Sequence, residues 1–346
     1  MKVAHVRERH APHGAAWRLA AALPNGRWLL LEEARSWLAA DQRARPHNEA
    51  LLRTPITTLD AFLGDRRGRI ESLGALVDAV NERADLLEPS DEGGAMALEA
   101  ADLRFGPPVL EPPSLRDFYV FEEHVGTMWK RRGGEIPEAW FRIPIFYFSN
   151  TSEIRGPDEP VWAPPGCEEL DYELEVAAVV DTPAADLEAD RAEEAIGGYT
   201  IFNDWSARDL QREETTVRLG PAKGKDFASS IGPWIVTPDE LADARAGRGY
   251  DLTMTAGVNG VETSRGTWAS ARYSFGEMLA RASAGVRLRP GDVIGSGTVG
   301  TGCLLEVKDA TIGRFLQPGD AVTLAIERLG ELANPVIERP AWTRGK

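Results

Sequence analysis

Beyond about residue 140 the apolar positions of this chain come in short β-branched and aromatic tracts, set apart by turn residues such as Asn259-Gly260 and Pro290-Gly291-Asp292. Tracts at residues 140–148, 172–180, 199–203, 234–236, 252–258, 292–296, 303–307 and 321–326 predict strands. Helical spacing is confined to short runs at 191–195 and 275–284. The first 108 residues read differently. Residues 17–20 and 27–31 flank Pro24-Asn25-Gly26, a strong hairpin signal. Residues 33–41 and 70–87 then carry helical spacing, the second through Leu73, Leu76, Val77 and Val80. Pro107-Pro108 and Pro112-Pro113 mark the passage between the two parts. The pattern therefore predicts a β-dominated α+β protein, with a small α+β N-terminal domain (1–108) and a larger β-rich domain (109–346).

Composition narrows the partners. With 346 residues and 43% hydrophobic content the chain can bury a substantial core. Its 54 acidic and 39 basic residues give a formal charge of −15, which repels phosphate backbones and anionic lipid. Nucleic acid and membrane are thus not expected as partners. The N-terminus lacks the apolar core of a signal peptide and no run approaches a membrane span, so a cytoplasmic protein is expected. Cys167 and Cys303 are too isolated to suggest a disulfide framework or zinc spacing. His5, His10, His13 and His47 read as solvated bystanders.

Candidate chemistry gathers in three acidic stretches. In the strand tract around Leu174, Glu173 and Glu175 are two apart and share a face. Their Cα atoms would be about 6–7 Å apart, close enough for both carboxylates to converge on one hard cation. Asp204 ends the glycine-opened tract before it, where ligands commonly emerge. Residues 205–211 read as a first helical turn capped by Ser206 or Asp204, with Arg208 and Gln211 on one face. His124 is the one histidine after residue 50. The glycine-rich run 295–302 lacks Gly-Lys-Ser/Thr and opens no helix, which argues against a nucleotide; Thr298 and its amides suit a carboxylate. No Gly-x-Ser-x-Gly elbow is present, so covalent catalysis has little support.

The order Asp117-Phe118-Tyr119 with His124, Glu173-Leu174-Glu175, Asn203 through Gln211, Gly224-Lys225 with Phe227, and Ser296-Gly297-Thr298 resembles the fumarylacetoacetate hydrolase superfamily over residues 109–335. That resemblance implies a β-sandwich roll of the fumarylacetoacetate hydrolase type, and one divalent cation per chain, magnesium, manganese or calcium. Carried over residue by residue, it makes Asp117, Glu173, Glu175 and Asp204 the metal ligands. His124 and Glu306 become the pair that activates water. Arg208, Gln211 and Lys225 become catalytic contacts, with Lys223 a decoy beside the last, and Tyr119, Tyr147 and Thr298 bind substrate. The implied reaction is hydrolysis of a carbon–carbon bond in a 1,3-diketone or acylpyruvate-type 2-oxo acid by a homodimer; decarboxylation, hydration or isomerisation on the same cage is the alternative, and a catalytically silent binder a further one. The run Tyr147-Phe148-Ser149-Asn150 lacks the arginine that follows this tyrosine in the superfamily's namesake, so a different substrate is expected.

Overall fold

The computed structural model describes residues 1–12, 14–40, 55–64, 69–82 and 96–341. Among its strands, in chain order, are β1 (Lys2–Glu8), β2 (Arg18–Ala22), β3 (Trp28–Leu30), β4 (Ala97–Leu98), β5 (Leu115–Phe118), β6 (Phe146–Ser149), β7 (Leu174–Val180), β8 (Ile196–Asp204), β9 (Ser229–Val236), β10 (Thr253–Val258), β11 (Val261–Thr267), β12 (Val293–Gly295), β13 (Ala321–Ile326) and β14 (Gly330–Pro335). One twelve-stranded sheet runs in the order β4-β3-β2-β1-β9-β8-β7-β12-β5-β6, with Leu103–Phe105 and Ile154–Arg155 pairing off this path. A second sheet, β11-β10-β13-β14, has four strands. The α-helices among the described residues are α1 (Leu31–Ala40), α2 (Leu59–Gly64), α3 (Gly74–Asn81), α4 (Glu122–Arg131), α5 (Arg208–Glu214), α6 (Phe275–Ser283) and α7 (Leu304–Val307).

Alternation along the central strands divides the molecule into two apolar layers. Leu174, Val176, Ala178 and Val180 of β7 pack with Met254, Ala256, Val322 and Leu324 of the smaller sheet, which makes a β-sandwich. Ala177 and Val179, between them in sequence, face the other way and pack with Leu31, Leu38, Leu73, Leu76 and Val80 of the N-terminal helices. Each buried valine, leucine or methionine side chain among them contributes about 1.5–3 kcal/mol relative to exposure. The sheet also runs without a break from the N-terminal strands into the later ones, because β1 pairs with β9 through Lys2↔Val236 and Val3↔Ile235. Trp28 and Phe105 each close against Trp234 at 5.5 Å between ring centroids across that seam, and against each other at 5.0 Å.

The N-terminal hairpin forms as the Asn-Gly turn requires, with Ala22 opposite Trp28 and Gly26 at φ +86°. The helix expected over 33–41 begins two residues earlier, and Asp41 lies outside the described residues. The helix expected over 70–87 opens as a 3₁₀ turn at Ile70–Leu73 and continues as α3; residues 83–87 lie outside the described residues.

Four further expectations are corrected. Residues 140–148 are not one strand, because Glu138–Phe141 forms a 3₁₀ turn and pairing with β5 starts at Phe146. Residues 303–307 are not a strand either: α7 forms there, since the Asp171 carboxylate accepts the amides of Leu304 at 2.7 Å and Leu305 at 2.9 Å. The helix expected from residue 205 starts at Arg208, because Ser206 and Ala207 are extended against Asp171 and Leu170, and neither Ser206 nor Asp204 caps it. His5 is not solvated. It is fully buried, accepts the Leu59 amide at Nε2 (2.9 Å) and sits 2.8 Å from the Pro107 carbonyl at Nδ1, and burial lowers its pKa. His10 is exposed, and His13 and His47 lie outside the described residues.

Candidate functional site

The face of the large sheet that carries Ala177 and Val179 also carries, toward one end, three acidic side chains from three strands. Asp117 of β5, Glu175 of β7 and Asp204 of β8 are buried, and their carboxylate oxygens all lie within 4.8 Å of one another. Gly295 of β12, opposite both Asp117 and Ala177, leaves the space between them open. A Cβ there would stand 2.5 Å from Asp117 Oδ1. Beyond it the backbone turns at Gly297 (φ +82°), whose amide donates to Glu175 Oε2 at 2.8 Å and Asp117 Oδ1 at 3.2 Å. Thr298 Oγ1 lies 3.4 Å from Glu175 Oε1. The amide of this loop thus holds the protein's own carboxylates.

Burial, and then repulsion from Asp204, pushes the Asp117 carboxyl well above the usual carboxylate range; burial and Asp117 do the same to Glu175. Asp204 is also raised by burial, against the pull of Lys225. Its Oδ1 finds no hydrogen-bond partner among the described residues. Three converging carboxylates with one orphaned buried oxygen fit a hard divalent cation such as magnesium, manganese or calcium.

Glu173 stands apart from this trio. It precedes the first residue of β7, and its amide donates to Asn203 Oδ1 at 3.0 Å. Its carboxylate accepts from Arg208 Nη1 at 2.8 Å and, by a short contact, from Lys225 Nζ, which also meets Asp204 Oδ2. Burial acts to raise the Glu173 carboxyl, but Lys225 and Arg208 together hold it well below the usual range. Burial likewise opposes the charge on Lys225, and Asp204 and Glu173 outweigh it. Tyr147 of β6 donates its hydroxyl to Asp204 Oδ2. Gln211, one turn along α5, accepts from Arg208 Nη1 at 3.2 Å, as the shared helical face anticipates. Lys223, by contrast, is exposed and paired with Asp226. Arg208 Nη2 is buried and without a partner among the described residues.

His124 projects from α4 into the same region. Its Nδ1 is 2.8 Å from Glu306 Oε2 on α7, and both side chains are almost fully buried. Tyr119 meets the imidazole edge-on at 5.5 Å between ring centroids, and burial raises its phenol pKa. The structure therefore brings all twelve candidate residues to one end of the sandwich. Sequence reasoning missed Asp171, which is fully buried and accepts Arg208 Nε at 2.8 Å as well as the two α7 amides. It stands two residues before Glu173 and offered no separate signal, because its partners are 37 and 133 residues away.

Comparisons with known proteins give the family of the chain. Fumarylacetoacetase of Arabidopsis thaliana is 31% identical, over 60% of this chain and 63% of that protein. A 2,4-didehydro-3-deoxy-L-rhamnonate hydrolase of a Sphingomonas species is 31% identical, over 56% of this chain and 65% of that protein. The chain thus spans just under two thirds of the length of each of these relatives. Among solved structures, fumarylacetoacetate hydrolase from Exiguobacterium antarcticum superposes with a TM-score of 0.65 at 23% identity, over 98% of this chain and all of that one, a likeness of fold. The family model described as "Fumarylacetoacetate (FAA) hydrolase C-terminal" matches residues 115–337, a stretch that contains every one of the candidate residues. From Asp117 to Glu306, then, the site is built on the part of the sequence that makes this chain a member of the fumarylacetoacetate hydrolase family.

Proposed function

We propose that this protein is a metal-dependent hydrolase that cleaves a carbon–carbon bond in a 1,3-diketone or acylpyruvate-type 2-oxo acid. The observation that carries the reading is the buried contact of 2.8 Å between His124 Nδ1 and Glu306 Oε2. An ionised carboxylate can only accept, so Glu306 fixes the proton on Nδ1 and leaves Nε2 as a base. The relatives named fumarylacetoacetase and 2,4-didehydro-3-deoxy-L-rhamnonate hydrolase support the reaction class.

Asp117, Glu175 and Asp204, with Glu173 beside them, would hold one divalent cation. When bound, such a cation would supply Lewis-acid polarisation of the substrate's oxygens. His124 takes a proton from water, whose oxygen attacks the carbonyl carbon distal to the substrate carboxylate. Arg208 and Gln211 stabilise the oxyanion that develops there, Arg208 with an Nη2 group not committed to any described residue. As the carbon–carbon bond breaks, its electron pair stays with the pyruvate-like fragment, and Lys225 supplies the proton that fragment needs. Tyr119, Tyr147 and Thr298 contact the substrate. The positive charge of Arg208 and Lys225 lets an otherwise acidic protein accept an anion.

The test is a screen of acylpyruvates, β-diketones and oxaloacetate with added magnesium or manganese. Hydrolysis of an acylpyruvate is expected. Rapid loss of carbon dioxide from oxaloacetate, with every acylpyruvate and diketone left intact, would overturn the reading in favour of a decarboxylase.

A further inference from the structure

We propose that His124, Cys303 and Glu306 form a second metal site, suited to zinc and separate from the carboxylate trio. The three residues offer a nitrogen, a sulfur and an oxygen, and these ligand atoms all lie within 4.8 Å of one another. Glu306 Oε2 is the common neighbour, 2.8 Å from His124 Nδ1 and 3.5 Å from Cys303 Sγ. Zinc binds imidazole at about 2.0–2.1 Å, thiolate at about 2.3 Å and carboxylate at about 2.0–2.2 Å, so tetrahedral ligands stand roughly 3.3–3.8 Å apart. The present separations about Glu306 Oε2, 2.8 and 3.5 Å, lie within about half an ångström of that spacing.

The backbone prepares this arrangement. Cys303 is the residue before α7 and Glu306 lies three further on, so the two rise on one side of a single helical turn. Asp171 fixes that turn by holding its first two amides. His124 comes from the buried side of α4. Cys303 is free and fully buried, and the His124 and Glu306 side chains are 3% and 4% exposed. Three protein ligands with a fourth position left open is the usual arrangement of a zinc ion that keeps a water. The ligand types separate the two sites: carboxylates alone favour hard cations, whereas a set containing imidazole and thiolate favours zinc. Spacing along the chain conceals the site, because His124 and Glu306 are 182 residues apart.

On binding, the thiol releases its proton to solvent and no redox change is involved. Resting on the reading of His124 and Glu306 as the water-activating pair, zinc held there would also stop turnover, because it engages both residues.

The experiment uses the full chain, stripped with chelator and then saturated with magnesium. Zinc is titrated calorimetrically, and cobalt is followed by absorption. The expected result is one equivalent of zinc bound without release of magnesium, and a near-ultraviolet thiolate-to-cobalt charge-transfer band. Cys303→Ser should abolish the band and weaken zinc at least about tenfold, while Cys167→Ser should leave both as they are. Absence of the band in the unmodified protein overturns the site, as does zinc that displaces magnesium one for one. If zinc binds through Cys303 and turnover continues, the site stands and the assignment of His124 as the base falls.

Discussion

Asp171 Oδ2 accepts Arg208 Nε at 2.8 Å, and the same carboxylate holds the turn that carries Glu306. One buried side chain thereby fixes both the cation proposed to meet the oxyanion and the acid that orients His124. Removing it should be costly in stability, because the Arg208 guanidinium would lose a buried partner and two helix amides their acceptor. Asp171→Ala is expected to lower unfolding free energy by about 3–5 kcal/mol in a denaturant titration. Asp171→Asn keeps an acceptor and should lose less. Equal stability of the alanine variant and the unmodified protein would show that the network is not structural.

Cation binding and pH should be coupled with a definite sign. Without a cation, Asp117, Glu175 and Asp204 are held above their ordinary values of 3.8, 4.5 and 3.8. Above those values the folded chain binds more protons than the unfolded one, so stability falls as pH rises through the raised folded values. Glu173, held below its ordinary 4.5, acts in acid instead, where its contribution is lost as pH falls. A divalent cation requires the ionised trio and should reverse the upper trend, with an effect that grows with pH. At a hundred times its Kd it adds about 2.7 kcal/mol. Melting temperatures across pH, with chelator and with magnesium, check this. A magnesium-insensitive melt at every pH, and the same calorimetric trace in Glu175→Gln/Asp204→Asn as in the unmodified chain, would count against a cation on the trio.

Much of the site is readable before folding because its chemistry is local. Glu173 and Glu175 announce themselves by strand alternation, Asp204 by the strand end, and Arg208 with Gln211 by helical spacing. What escapes is set by distant hydrogen bonds. The sequence Cys303-Leu304-Leu305-Glu306-Val307 has strand propensity, yet an acceptor 133 residues away draws it into a helical turn. Glu173 is on the expected side but is claimed by Lys225, 52 residues on, so the trio forms without it. His5 looks solvated in a polar N-terminal segment and is buried because Leu59 and Pro107, 54 and 102 residues away, take both its nitrogens. In the same way the alternation in β7 gives both faces of the sandwich, but not which sheet or helix covers each.

The role of His124 separates base from ligand. If the imidazole acts on water, His124→Ala should lower turnover about 10²–10⁴-fold and leave magnesium affinity nearly unchanged, since the carboxylate trio is untouched. Turnover and calorimetry on one preparation decide the matter. Full activity in this variant would remove His124 from the chemistry, and a large loss of magnesium would make it a ligand of that ion.

Hydrolysis also leaves an isotopic trace that its rivals do not. If His124 Nε2 deprotonates water for attack on a ketone carbon, the oxygen that enters comes from solvent, and it ends in the carboxylate formed when the carbon–carbon bond breaks. Cleavage of an acylpyruvate in heavy-oxygen water should therefore label that acid, while the hydrogen delivered by Lys225 appears as solvent deuterium in the methyl group of the pyruvate fragment when the reaction is run in deuterium oxide. Decarboxylation would instead release carbon dioxide, and isomerisation would conserve mass. Lys225→Met should slow protonation of the leaving fragment with little effect on label entry per cleavage event, because the lysine acts on the departing carbon and His124 on the water. Mass spectrometry of both fragments reads each oxygen and hydrogen independently. Turnover of an acylpyruvate with no solvent oxygen in the new carboxylate would exclude water activation by His124, whatever the metal.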